Sequence, residues 1–284
     1  MNYINKLKNR FKNGNIVEKL IYINIAIFIL SLLFNVFQGL YKGQTNWFVN
    51  WFSLDDDYDS LLKKPWSIIT YGFLHADFIH ILMNLIVLHF IGNLFIEYFT
   101  QKLLLNFYII GTFFGGLLFV FSQNYFPLFE GKSSLLVGAS AGISAIFIGV
   151  ATYIPNYQLK LRFIGFIKLW HLAAFWIGLD IIGLIGSNSG GHFAHLGGSL
   201  FGFLYVKKAN NKKTDFFKQF LSLFIRKKTP LKTVHKSAKK KSNSLKNTDI
   251  TQKQIDSILD KISKSGYDTL TKTEKDFLFR QGKK

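Results

Sequence analysis

Six stretches of this 284-residue chain are apolar over lengths approaching the thickness of a lipid bilayer: Leu20 to Leu40, Ile79 to Phe99, Leu103 to Phe121, Ser140 to Ile154, Ile167 to Ile185 and Phe193 to Val206. In hydrocarbon every backbone N–H and C=O must find a partner within the protein, so a spanning segment is either an α-helix or a strand of a closed barrel. The runs are continuously apolar and do not alternate, which predicts helices. The expected fold is all-α, a polytopic six-transmembrane-helix bundle. Lys6, Lys8, Arg10, Lys12 and Lys19 precede the first run, which is long and lacks a small-residue cleavage site. It reads as a retained anchor and not a signal peptide.

Only 18% of residues are charged, 49% are hydrophobic and 31 are phenylalanine, a balance too apolar for a soluble domain of this size. The net charge of +19 sits at the two ends and not in the apolar middle, so anionic lipid is the expected partner and nucleic acid is not. With no cysteine, disulfides, thiolate metal sites and cysteine nucleophiles are excluded. No metal or cofactor is expected.

The basic amino terminus, Lys102, the group Lys160, Arg162 and Lys168, and the basic tail all fall on one side of a six-span arrangement. Positive charge marks that side as cytoplasmic, placing both termini there, in a cell inner membrane. The other side receives the connection from Tyr41 to Phe78, with Asp55, Asp56, Asp57 and Asp59, the loop around Glu130, and the turn Ser187 to Gly191. Trp47, Trp51 and Trp66 suit that outer interface. In this topology His80, Asn84, Ser140 and His195 lie near the outer ends of the second, fourth and sixth spans, at one depth. The fourth run is short, about 22 Å at 1.5 Å per residue, so its start is expected below the outer surface, entered through Lys132 to Gly138 with access for water.

Polar groups at such depth are expensive and usually functional. A serine hydroxyl becomes a useful nucleophile when a histidine takes its proton, so Ser140 and His195 suggest a hydrolase. Ser140, opening a helix, has its own N–H free to donate to a developing oxyanion, and the helix dipole adds to that potential. His80 and Asn84, at i and i+4, project from one helix face toward the same charge. Gly138, Gly142 and Ala145 in the fourth run and Gly198 and Gly202 in the sixth are expected to let these helices approach closely. Ser144 is expected to be a packing serine, and His192 is the competing base. His75, His89 and His171 have no spacing that ties them to the chemistry.

These residues resemble the rhomboid family of intramembrane serine proteases. The resemblance covers about Trp66 to Tyr205: His80 and Asn84 as a His-x-x-x-Asn pair, Gly138 and Ser140 as Gly-x-Ser, and Ala194, His195, Gly197 and Gly198 as Ala-His-x-Gly-Gly. It implies Ser140 as nucleophile, His195 as its base without a third, acidic partner, and an oxyanion hole of His80, Asn84 and the Ser140 N–H. One departure is that Ala141, and not glycine, follows the serine. The expected substrates are membrane proteins cut in or beside their transmembrane segments. The alternative is a noncatalytic rhomboid-like protein that binds transmembrane helices. A transporter is disfavoured by the scarcity of intramembrane charge.

The expected layout is a basic amino terminus over 1–19, the membrane domain over 20–206, a basic linker over 207–248 and a small cytoplasmic helical hairpin over 249–284. From Lys207 to Lys246 there are 14 lysines and arginines against one acid, Asp215. There Phe216, Phe217, Phe220, Leu221 and Phe224 predict an interfacial amphipathic helix against anionic lipid. Ile255, Ile258, Leu259 and Ile262 then follow a helical period, Ser265-Gly266 interrupts it, and Thr271 with Glu274 forms a capping box ahead of Phe277 to Phe279.

Overall fold

A computed structural model describes residues 3–41, 46–161, 165–209 and 245–281. It divides into two compact units, residues 1–225 and 226–284. The proposed amphipathic segment Phe216 to Phe224 and Arg162 lie outside the described residues.

The first unit is mostly helical. After a short α1 (Tyr3–Asn13), α2 spans Ile16–Leu40. Short helices α3 (Trp47–Phe52), α4 (Tyr58–Lys63) and α5 (Ser67–Thr70) and a 3-10 turn, Tyr71–Phe73, form the following connection. Then come α6 (Phe78–Tyr98), α7 (Gln101–Tyr125), α8 (Ser140–Tyr153), α9 (Leu169–Gly183) and α10 (Ser189–Ala209). Each predicted run coincides with a helix, apart from the first residues of the fifth. Ile167 and Lys168 belong instead to β4 (Gly165–Lys168), which pairs antiparallel with β3 (Gln158–Leu161). A second two-stranded pairing, β1 (Leu54–Asp55) with β2 (Leu135–Leu136), qualifies the all-α expectation.

Of the described helices, α2, α6 and α7 are long and apolar enough to cross a membrane, while α8 and α9 are apolar but shorter, at 14 and 15 residues. Their outer faces carry apolar side chains without protein cover: Leu33, Val36 and Phe37 on α2, Phe90 on α6, and Phe175 and Ile182 on α9. In water such a surface is untenable; lipid is the solvent that accepts it. Polar side chains set the helix starts. The Asn15 carboxamide accepts from the Glu18 N–H at 2.9 Å while Glu18 accepts from the Asn15 N–H, closing a capping box on α2. Asp77 and Thr100 cap α6 and α7 through the N–H groups of His80 and Leu103.

Eleven consecutive residues of α8, Ala141 to Ala151, are buried, so this helix is the axis on which the others pack. Closeness on the α10 side is set by glycine: a Cβ on Gly198 would lie 2.0 Å from the Ala141 carbonyl oxygen, and one on Gly202 would lie 2.2 Å from that of Ala145. The predicted seam is therefore present, with two corrections. Gly142 faces α7, where a Cβ would lie 2.6 Å from the Tyr108 carbonyl oxygen, and Gly138 precedes the helix at φ +137°, against His80. Gly111 and Gly115 of α7, which the pattern did not single out, receive Ala145 and Ala141. Ala141, where the family places glycine, thus fits because α7 supplies the missing space.

In the second unit a helix over Leu245–Ser265 ends at Gly266, φ +81°, and a 3-10 turn leads to a helix over Lys272–Gln281. The predicted capping box forms: Glu274 accepts from the Thr271 N–H at 2.7 Å and also pairs with Lys261 at 3.0 Å. Ile258 and Leu270 are buried here, whereas Leu259 of the predicted apolar face is exposed.

The α8–α10 seam is tested by volume. Gly198→Ala forces its methyl into the Ala141 carbonyl, and overpacking of this kind costs about 1–3 kcal/mol, so the apparent Tm of the purified protein in detergent is expected to fall by several degrees. Gly178→Ala on α9, where nothing lies within 4 Å of the added Cβ, is expected to leave Tm unchanged or slightly raised.

Candidate functional site

Because α10 runs so close to α8, the side chains at their neighbouring ends meet. The Ser140 hydroxyl and His195 Nε2 are 2.7 Å apart. His195 Nδ1 is 2.7 Å from Oδ1 of Asp180 on α9. The same carboxylate oxygen is 2.9 Å from Nδ1 of His192, one turn before His195. The resemblance gave His195 no acidic neighbour; the structure sets one beside it, Asp180, 3% exposed. The signal in the sequence was a lone acid within the apolar run Ile167 to Ile185, the kind of residue that is costly in a membrane and rarely idle.

Ser140 begins α8 without a capping side chain, Ala139 being the cap residue. The first N–H groups of the helix, that of Ser140 included, have no intrahelical acceptor. Ahead of them the chain is held extended. The Gly138 N–H donates to the Tyr71 carbonyl at 3.0 Å, Leu136 pairs with Leu54, and the Ser134 N–H donates to Asp56. Gly138 is required twice, by its positive φ and because a Cβ there would come to 3.0 Å from the His80 ring.

His80 accepts at Nδ1 from the Ala76 N–H at 3.4 Å, which leaves Nε2 as the protonated nitrogen of its neutral ring. The Asn84 carboxamide donates one hydrogen to the His80 carbonyl at 2.9 Å and retains a second. His80, Asn84, Gly138, Ser140 and His195 together line a cavity of about 770 Å³, walled by the 132–137 segment, Trp176 and the 186–191 turn. All four predicted site residues therefore share one space. His192 does not reach Ser140; its ring is seated on α9, where a Cβ on Gly183 would lie 2.2 Å from its Nε2. Ser144 is buried and accepts from the Trp176 indole at 3.1 Å, a packing role as expected. His89 holds Asn93 through its backbone carbonyl, and the His171 ring lies tilted against Trp170.

Asp180, His192 and His195 also bring one possible metal-ligand atom each within 4.8 Å of one another. Two nitrogens at 2.7 and 2.9 Å from one oxygen are spaced as hydrogen bonds, closer than the roughly 3.3 Å that ligands at 2.0–2.1 Å impose around a tetrahedral ion.

The comparisons with known proteins identify the family. Residues 62–209, half of the chain, match the family model of the Rhomboid domain. The chain belongs to the rhomboid family. It is a multi-pass membrane protein. RHOMBOID-like protein 12, mitochondrial, of Arabidopsis thaliana is 28% identical over 196 residues, which cover 65% of this chain and 55% of that protein. Presenilin-associated rhomboid-like protein A, mitochondrial, of Danio rerio is 29% identical over 138 residues, covering 48% and 35%. The matched regions thus span about half of these relatives or less. Residues 239–284 match a family of unknown function, DUF6576.

His75 lies before α6, 4% exposed, with neither ring nitrogen hydrogen-bonded among the described residues and its ring 5.2 Å from that of His80. Burial, aided by His80, holds its pKa down at about 3, against an ordinary 6.5. The unfolded chain therefore binds a proton that the folded one refuses. The contribution to stability is complete above pH 6.5 and declines as pH falls toward 3. Apparent Tm is expected to drop between pH 7 and pH 5, with a shallower drop for His75→Gln; equal slopes would remove His75 from that dependence.

Proposed function

We propose that this rhomboid is an intramembrane serine endopeptidase that cuts membrane proteins in or beside their transmembrane segments, near the outer face of a cell inner membrane. The observation that carries the reading is the 2.7 Å approach of Ser140 Oγ to His195 Nε2 at the wall of a cavity that His80 and Asn84 also line. Ser140 Oγ attacks the carbonyl carbon of the scissile peptide as His195 Nε2 takes its proton. The carbonyl oxygen becomes an oxyanion facing the Ser140 N–H, His80 Nε2–H and the remaining Asn84 amide hydrogen. The intermediate collapses, the C–N bond breaks, and His195 returns the proton to the leaving amine. A water molecule from the cavity then attacks the acyl ester, with His195 again as base, and releases the acid and the free serine.

Six spans with both termini cytoplasmic complete the proposal, with the 207–248 segment on anionic lipid and the 249–284 hairpin as a cytoplasmic appendage. Reporter fusions after Lys207 and at residue 60 are expected to report inside and outside; an outside signal at Lys207 breaks the topology.

Ser140→Ala is expected to abolish both cleavage of a model transmembrane substrate and labelling by a fluorophosphonate, while Ser144→Ala retains most of each. A fully folded parent chain that neither cleaves nor labels favours the noncatalytic, helix-binding reading. Asn84→Ala is expected to lower kcat by about 10²- to 10³-fold with little change in KM, as removal of one preorganised oxyanion donor does. An unchanged kcat with a raised KM makes Asn84 a substrate-binding residue.

A further inference from the structure

We infer that Asp180 is the positioning residue for His195, so that this chain works through a triad of Ser140, His195 and Asp180. The inference rests on the serine-protease reading. α9 faces mostly away from the protein, and Asp180 is one of its two buried residues. A carboxylate in that position is costly unless it is satisfied. Its Oδ1 takes two hydrogen bonds, from His195 at 2.7 Å and His192 at 2.9 Å, while Oδ2 has no partner among the described residues.

An ionised carboxylate only accepts, so both Nδ1 atoms carry hydrogen. For neutral His195 this leaves the lone pair on Nε2, the atom 2.7 Å from the Ser140 hydroxyl, and that tautomer alone can act as base. When His195 takes the serine proton, the imidazolium forms against the negative charge of a carboxylate that is itself buried. No proton passes to Asp180; it holds the ring and offsets the charge.

The site is built for this purpose from both helices. Gly183, one turn after Asp180, provides the recess that seats the His192 ring, where any side chain would collide. His192 thus supplies the second donor that the buried carboxylate needs, and is placed to support Asp180 while Asp180 supports His195. The competing histidine of the sequence reading becomes an anchor for the acid.

Asp180→Asn removes the negative charge set against the His195 imidazolium and puts in its place an amide whose NH2 can donate to Nδ1 and so favour the tautomer protonated at Nε2. In the full chain, purified in detergent and assayed on a model transmembrane substrate, kcat is expected to fall by about 10²- to 10⁴-fold with KM within about twofold. Fluorophosphonate labelling slows in parallel although Ser140 and His195 are intact. Asp180→Glu recovers part of the loss, and His192→Gln costs less than about tenfold. ¹⁵N spectra of histidine-labelled parent protein are expected to report His195 protonated at Nδ1 and bare at Nε2, a readout that stands even if the Asn variant does not fold. Cleavage by Asp180→Asn within threefold of the parent, or a parent His195 protonated at Nε2, overturns the inference. Ser140→Ala, run alongside, separates the two levels: if it still cleaves, the protease reading itself fails, and if it is inactive while Asp180→Asn is fully active, only the role of Asp180 is lost.

Discussion

Where a side chain would stand on Gly198, the carbonyl oxygen of Ala141 already occupies the space. Two helices in lipid gain little from burying apolar surface, because the lipid is equally apolar; they associate through close van der Waals contact and interhelical hydrogen bonds. Glycine makes that contact close enough for the short reach of serine to meet a histidine on the neighbouring helix. The side of α8 that meets α7 is shaped in the same way by Gly111 and Gly115. Replacing one hydrogen on any of these glycines with a methyl is therefore expected to perturb packing and site geometry together.

The second constraint is the backbone ahead of α8. A helix of 14 residues rises about 21 Å, short of a bilayer core of about 30 Å, so in a six-span arrangement its entry segment is expected at depth. Irregular chain is tolerated there only when its polar groups are paired within protein or with water. The pairing runs in a chain: Gly138 to Tyr71, the Tyr71 hydroxyl to the Thr112 carbonyl at 2.7 Å, and the Tyr108 hydroxyl to the Gly72 carbonyl at 2.7 Å. The buried tyrosines thus act as brackets that hang the start of α8 from α7.

Much of this was legible because membranes impose crude, strong rules. Apolar length located the helices, and polar residues at matching depth located Ser140, His195, His80 and Asn84. Asp180 was missed because nothing in its local spacing links it to histidines that follow 12 and 15 residues later; the turn from α9 into α10 makes that link. The direction Gly142 faces was illegible for a related reason: a small residue permits approach without saying to which neighbour. The β3–β4 pairing replaced the start of the fifth run because apolar residues of a short hairpin and of a helix end read alike.

In the proposed orientation the cavity opens Ser140 to the water on one side of the membrane, and this has an electrical consequence. Water carries the potential of its own compartment to the cavity floor, so a voltage across the membrane falls mainly over the protein beneath α8's first turn. A unit charge crossing the whole drop exchanges about 2.3 kcal/mol per 100 mV. The proton shared by Ser140 and His195 travels within 2.7 Å and on the watered side of that drop. In the proposed orientation, bond cleavage is electrically silent: the reaction answers to the acidity of the compartment its cavity faces and is indifferent to the energised state of the membrane that holds it.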